Sequence, residues 1–164
     1  MEENKGILSV LVYNKPGVLT KIAGLFTRRG FNIDSIAVGE GKEEGISRLT
    51  ITVNDVKKEI LEQIQKQLYK ILEVIKVSKI DPVYKVEREL ALIKIKFNKN
   101  IKADVFQLIN LFDGKIIDAG KDGVIVEVTG SSNKVESFIR LLDKNTIVEI
   151  VRSGNVAMDR LLKK

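Results

Sequence analysis

Ile7-Leu-Ser-Val-Leu-Val-Tyr13, Asn14-Lys15-Pro16-Gly17 and Val18-Leu19 through Arg28-Arg29-Gly30 follow one another directly. The first run is short, apolar and rich in β-branched residues, the pattern of a strand buried on both faces. Asn, Pro and Gly then break it with explicit turn chemistry. Pro16, near the first helical position, presets the backbone and gives up an N–H that would have no intrahelical partner. Val18, Leu19, Ile22, Ala23, Leu25 and Phe26 recur at helical spacing. Arg28 and Arg29 complement the negative end of that helix, and Gly30 reads as its terminator.

Outward from this unit, Phe31 to Val38 resumes strand character. Gly39, Gly41 and Gly45 around Lys42-Glu43-Glu44 predict an exposed hairpin loop. Ser47 to Val53 alternates polar with apolar, as a strand with one wet face does. Asn54-Asp55 is the expected cap of a second helix marked by Ile60, Leu61, Ile64, Leu68 and Ile71. Val74 to Ile80 is a fourth strand. Asp81-Pro82 then punctuates the chain, and the order repeats: strand Val86–Phe97, helix face Val105, Leu108, Ile109 and Phe112, strands Lys115–Asp118 and Val124–Val128 around a Gly120–Gly123 turn, helix face Val135, Phe138, Ile139 and Leu142, and strand Ile147–Val151. The fold class is therefore α+β, with two ferredoxin-like βαββαβ sandwiches in tandem. The expected domains are residues 1–80 and 81–164. Gly30-Phe-Asn-Ile33-Asp34 and Gly114-Lys-Ile-Ile117-Asp118 share Gly-x-x-Ile-Asp at the helix-to-strand corner, an echo in which Asn32 stands where the second copy has Ile116.

Two absences narrow the chemistry. Without Cys there are no disulfides, thiolate metal ligands or thiol nucleophile, and without His there is no Ser–His or Cys–His catalysis and no histidine-ligated zinc. Carboxylate, lysine or tyrosine catalysis stays formally open, but no carboxylate pair stands out at a cleft position. The net charge of +6 divides evenly between the halves, with 13 basic and 10 acidic residues in 1–80 and 15 and 12 in 81–164, so no basic arm exists. The strands also lack the aromatic platform that base stacking needs: Tyr13 ends strand one, and Arg48, Thr50 and Thr52 do not substitute for it. No nucleic acid is expected. The polar Met1–Lys5 start has no apolar signal core, and no apolar run approaches the ~18 residues of a membrane helix, so a cytoplasmic protein is expected. The Gly39–Gly45 loop lacks the strand–loop–helix context and the Lys-Ser/Thr ending of a phosphate loop. Lys57-Lys58 and Lys163-Lys164 read as solvated.

The candidate site is Asn14-x-x-Gly17-Val18-Leu19. The first turn of a helix leaves backbone N–H groups unpaired and carries partial positive charge, which suits a small carboxylate. Gly17 admits a ligand close to the backbone. Asn14 offers a donor and an acceptor to an amino–carboxylate pair, and Asn32 supplies a second amide. Val18, Leu19 and Ile33 would surround an apolar side chain. The same residues also read as an ordinary turn beside core positions, unless the pocket lies at a subunit interface.

Ile7-Leu-Ser-Val-Leu, Asn14-x-Pro-Gly-Val-Leu19 and Gly24-Leu-Phe-x-Arg-Arg-Gly-Phe-Asn-Ile33 together resemble the regulatory small subunit of acetolactate synthase, whose amino-terminal part is an ACT domain. Ser47-Arg48-Leu-Thr50, Leu61-Glu-Gln-Ile-x-Lys-Gln-Leu68, Val86-Glu-Arg-Glu-Leu90 and Arg152-Ser153-Gly154 with Ala157 extend the likeness over nearly the whole chain. At the tail the family usually reads Arg-Gly, whereas Arg160 is followed here by Leu161. The resemblance implies a non-catalytic partner of a catalytic large subunit. That subunit, using thiamine diphosphate, FAD and Mg²⁺, condenses pyruvate with pyruvate or 2-oxobutyrate. It implies activation of that subunit, feedback inhibition by valine, leucine or isoleucine, no cofactor in this chain, and a homodimer through the ACT domains. Asn14, Gly17, Val18 and Leu19 of one protomer and Asn32 and Ile33 of its neighbour would hold the effector. A stand-alone ACT-type sensor serving another enzyme or a transcription factor is the alternative.

Overall fold

The computed structural model describes residues 5–54, 57–98 and 100–161. The chain divides into two compact units, residues 1–86 with 155–164, and residues 87–154.

In the first unit, β1 (Gly6–Tyr13), α1 (Val18–Arg28), β2 (Ser35–Glu40), β3 (Ile46–Val53), α2 (Lys58–Leu68) and β4 (Val74–Lys79) follow the βαββαβ order. The antiparallel sheet runs β2-β3-β1-β4. Leu8, Val10 and Val12 of β1 and Leu49, Ile51 and Val53 of β3 face Ile22, Phe26, Ile64 and Leu68 of the helices in one core. Fully burying a side chain such as Phe26 contributes about 1.5–3 kcal/mol. In the second unit, β5 (Lys85–Lys96, which begins in the first unit), α3 (Lys102–Leu111), β6 (Lys115–Gly120), β7 (Gly123–Gly130), α4 (Ser132–Leu141) and β8 (Ile147–Arg152) repeat the order, with sheet path β6-β7-β5-β8. Its core joins Ile93, Ile95, Val126 and Val128 to Val105, Ile109, Val135 and Phe138.

Several expectations are corrected. The first compact unit runs on to Val86, and Asp81 Oδ1 accepts the N–H groups of Val83 and Tyr84 in a turn inside it. Residues 155–164 belong with the first unit, where a further strand, β9 (Val156–Asp159), forms. Ala157 packs with Ile7 and Ile80, Arg48 Nη2 donates to its carbonyl at 3.0 Å, and Asn155 N–H donates to Ser35 Oγ at 3.3 Å. The polar face of β3, which carries Arg48, Thr50 and Thr52, is not wet: Thr50 and Thr52 are buried.

β2 starts at Ser35 rather than Phe31, because the Phe31 N–H reaches back to the Phe26 carbonyl and closes α1, while Gly30 takes φ +68°. α2 begins from Lys57 with no side-chain cap, so Asn54 does not cap it; Asn54 donates instead to Asp34, and Asp55 lies outside the described residues. Lys163-Lys164 and Met1–Asn4 also lie outside them. The Gly-x-x-Ile-Asp echo does not superpose in structure. Asn32 precedes β2, whereas Ile116 is inside β6, and in the second copy Asp113, not Gly114, takes the positive φ, 52°.

Candidate functional site

Lys15-Pro16-Gly17-Val18 is a type II β-turn. Pro16 holds the first central position, Gly17 the second at φ +83° and ψ −4°, and the Val18 N–H closes the turn onto the Lys15 carbonyl at 3.4 Å. Pro16 thus lies ahead of the helix rather than at its first position, and Gly17 is the N-cap. It has no side chain to cap α1, so the first-turn N–H groups face outward without one. A Cβ on Gly17 would meet nothing within 4 Å, so glycine is needed for its backbone angle and for the open space above it.

This turn borders a depression of about 340 Å³ walled by Val12, Tyr13, Asn14, Leu19, Val38 and Leu49, with Lys15 as its one charged lining residue. Asn14 is anchored through its backbone, whose N–H donates to the Gly45 carbonyl at 2.8 Å; its side-chain amide makes no hydrogen bond among the described residues. Tyr13 and Leu19 are each about half exposed at 49% and 48%. The Lys15 ammonium lies 5.6 Å from the Tyr13 ring centroid. One turn into α1, Lys21 pairs with Glu73, and that contact, with the Glu73 backbone N–H, holds the Glu73 carboxyl below the usual glutamate range.

Asn14, Gly17, Val18 and Leu19 therefore border one depression. The Val18 side chain packs into the core, leaving Leu19 as the apolar residue of this group that faces outward. Asn32 and Ile33 are not part of the depression within one protomer. They sit at the opposite, carboxyl end of α1, with Asn32 exposed and Ile33 half-buried against the core. Val38, Ser47 and Leu49 are lining residues that sequence reasoning did not single out. Only the β1–β3 register, which sets Val12 against Ser47, and the β2–β3 register, which sets Val38 against Leu49, bring them there. Among the described residues no group of three Asp or Glu side chains could hold a metal ion, and no helix is long and apolar enough to cross a membrane.

The family model of the AHAS small subunit-like ACT domain matches residues 8–76, and that of the small subunit of acetolactate synthase matches residues 88–161. A Methanothermobacter thermautotrophicus protein named "Probable acetolactate synthase small subunit" is 45% identical over 98% of this chain and 95% of its own length. The chain belongs to the acetolactate synthase small subunit family. The small subunit of Mycolicibacterium smegmatis is 43% identical over 93% of this chain and 89% of its own. The crystal structure of the Thermotoga maritima small subunit superposes with a TM-score of 0.90 at 50% identity, covering 98% of this chain and 99% of that one. The small-subunit motifs Glu89-Leu90 and Arg152-Ser153 meet in the second unit, where Leu90 N–H donates to Ser153 Oγ at 3.1 Å and Ser153 N–H to the Leu90 carbonyl at 3.0 Å.

Proposed function

We propose that this chain is the non-catalytic regulatory subunit of acetolactate synthase. It binds the catalytic large subunit, raises its activity and makes it answer to valine, or to leucine or isoleucine. Thiamine diphosphate, FAD and Mg²⁺ belong to the large subunit. The observation that carries the effector reading is the Lys15–Val18 turn, which leaves an uncapped helix terminus open beside apolar walls. An amino acid's carboxylate would take the first-turn N–H groups and the nearby Lys15 charge, its amino group the Asn14 carbonyl oxygen, and its methyl groups Leu19 and the apolar wall. Asn32 and Ile33 would come from a second protomer paired through the first unit, so occupancy depends on how the two protomers sit. A coupling of about 1–3 kcal/mol between effector and large subunit changes the affinity of each for this chain roughly 5- to 150-fold.

The family membership supports the large-subunit partner. The experiment is calorimetry of the full chain with valine, leucine and isoleucine, followed by reconstitution with the catalytic subunit. Binding heat from at least one of the three and saturable inhibition by the same amino acid are expected; a folded chain that binds none of them ends the effector reading. Asn32→Ala should weaken binding and leave activation intact. Lost activation with retained affinity would instead assign Asn32 to the large-subunit contact.

A further inference from the structure

Two of the segments that carry the family likeness, Gly24–Ile33 and Leu61–Leu68, hold side chains that the site above leaves unused, and these meet in the first unit. Arg29 and Phe31, just beyond α1, join Gln63, Lys66 and Gln67 of α2 around a depression of about 290 Å³. Gln63, Lys66 and Gln67 stand at i, i+3 and i+4, so they share one face of the helix. Ile64 and Leu68 of the same stretch pack into the core instead.

The lining is arranged for negative charge. Arg29 Nη2 donates to Gln67 Oε1 at 3.1 Å, which holds the guanidinium at the pocket. The last carbonyls of α1 do not claim it: those of Leu25, Phe26 and Thr27 take the backbone N–H groups of Arg29, Gly30 and Phe31. Neither Arg29 nor Lys66 makes an ion pair among the described residues, and no acidic side chain lines the pocket. Glu62, one turn before Lys66, is held by Lys79 at 3.1 Å. Arg29 and Lys66 thus bring two positive charges, and with the amides of Gln63 and Gln67 the N–H donors far outnumber the two amide oxygens. Phe31 adds an apolar wall, its ring set edge-on to Phe26 with centroids 6.4 Å apart.

We propose that this pocket binds a small phosphate ester that carries an apolar or aromatic group. A phosphate monoester has a charge of about −1.5 to −2 at neutral pH and three terminal oxygens, which match the two cations and the amide donors. A carboxylate brings one charge and two oxygens, and would leave donors over. At about 30 Å³ for each water-sized group, the space holds roughly ten of them, more than the phosphate fills, and the remainder lies against Phe31. The effector turn is at the other end of α1, so the proposal goes beyond the effector reading and does not rest on it.

The full chain is titrated with phenyl phosphate, benzoate and inorganic phosphate at neutral pH and fixed ionic strength, followed by backbone-amide NMR and calorimetry. Phenyl phosphate should shift the amide signals of residues 29–31 and 63–67 saturably, and should bind about tenfold more tightly than either other anion. Arg29→Ala and Lys66→Ala, each shown to be folded by far-UV circular dichroism, should weaken it about tenfold, the loss of one charge-assisted hydrogen bond. Lys58→Ala removes a cation of the same helix outside the pocket and should leave the affinity unchanged. No saturable shift at these amides, an equal loss from Lys58→Ala, or benzoate or inorganic phosphate binding as tightly as phenyl phosphate would each overturn the proposal. Shifts confined to residues 14–19 would put the anion at the effector turn and overturn it too, while the effector reading would stand.

Discussion

Arg152 grips Glu89 with both arms of its guanidinium: Nε donates to Oε1 at 2.7 Å and Nη2 to Oε2 at 2.9 Å, while Nη1 reaches Glu136 of α4 at 3.2 Å. The Glu89 side chain is only 4% exposed, so its charge depends on this fork, and its hydrogen bonds raise the Arg152 pKa above the ordinary value. β5, β8 and α4 are thereby locked together at one corner of the second unit.

Removing the cation should be costly. Arg152→Ala would leave a buried carboxylate without a counterion and destabilise the second unit by about 3 kcal/mol. Arg152→Lys, which keeps the charge but loses the fork, should fall between it and the native chain. Replacing both partners, as Glu89→Leu with Arg152→Met, should recover most of the loss, because no unpaired charge remains. Urea unfolding followed by far-UV circular dichroism measures all three; an Arg152→Ala protein as stable as the native one would show that the pair contributes nothing.

Gly17 separates strain from charge. At φ +83°, Gly17→Ala should destabilise the first unit by about 1–2 kcal/mol through its backbone alone, since its Cβ has free space. Asn and Asp tolerate this backbone region better and have nearly the same size. Gly17→Asp should abolish valine, leucine or isoleucine binding, because its carboxylate would oppose the effector's own, and Gly17→Asn should retain measurable affinity. Equal losses in calorimetry would point to crowding rather than charge.

How far the fold could be read beforehand follows from the range of the interactions involved. β1, α1 and both cores were visible because their apolar spacing is local. The start of β2 was misplaced because Phe31, an apolar residue next to a strand, spends its N–H on closing α1. The wet face assigned to β3 failed for a long-range reason: Arg48 is met by Ala157, more than a hundred residues onward, and the four residues of β9 are too few for alternation to announce a strand. The turn of the candidate site was explicit in Lys15-Pro16-Gly17, but its β3 wall needed the sheet register. Asn32 and Ile33 cannot join it within a single protomer.

Glu73 sets an acid limit on the first unit. Its folded pKa is depressed below the ordinary value of 4.5, chiefly by the hydrogen bond from Lys21. A carboxyl with a depressed folded pKa adds stability above its unfolded pKa and loses it as pH falls through the folded value. The Lys21–Glu73 contribution should therefore be whole at neutral pH and decline as pH falls from 4.5 through the lower folded value. Glu73→Gln should lower stability at pH 7 and by a smaller margin at pH 3, as measured by urea midpoints at both values. A deficit of the same size at pH 3 would mean that the side chain acts through packing instead.

The tail strand makes the last test. Ala157 is 6% exposed and packs between Ile7 of β1 and Ile80, while the neighbouring Thr50 and Thr52 of β3 are 4% and 2% exposed. Ala157→Asp would drive a charge into an apolar contact with Ile7 and Ile80, where Arg48 already donates to the Ala157 carbonyl. Desolvating that carboxylate without a full partner should destabilise the first unit by several kcal/mol, on the order of 2–5. Hydrogen exchange locates the effect: β1 and β3 amides should lose protection while those of β7 keep theirs. Equal loss in β7 would mean that the tail secures both units rather than the first, and Ala157→Ser, which adds only a small hydroxyl, should leave the first unit nearly as protected as the native chain.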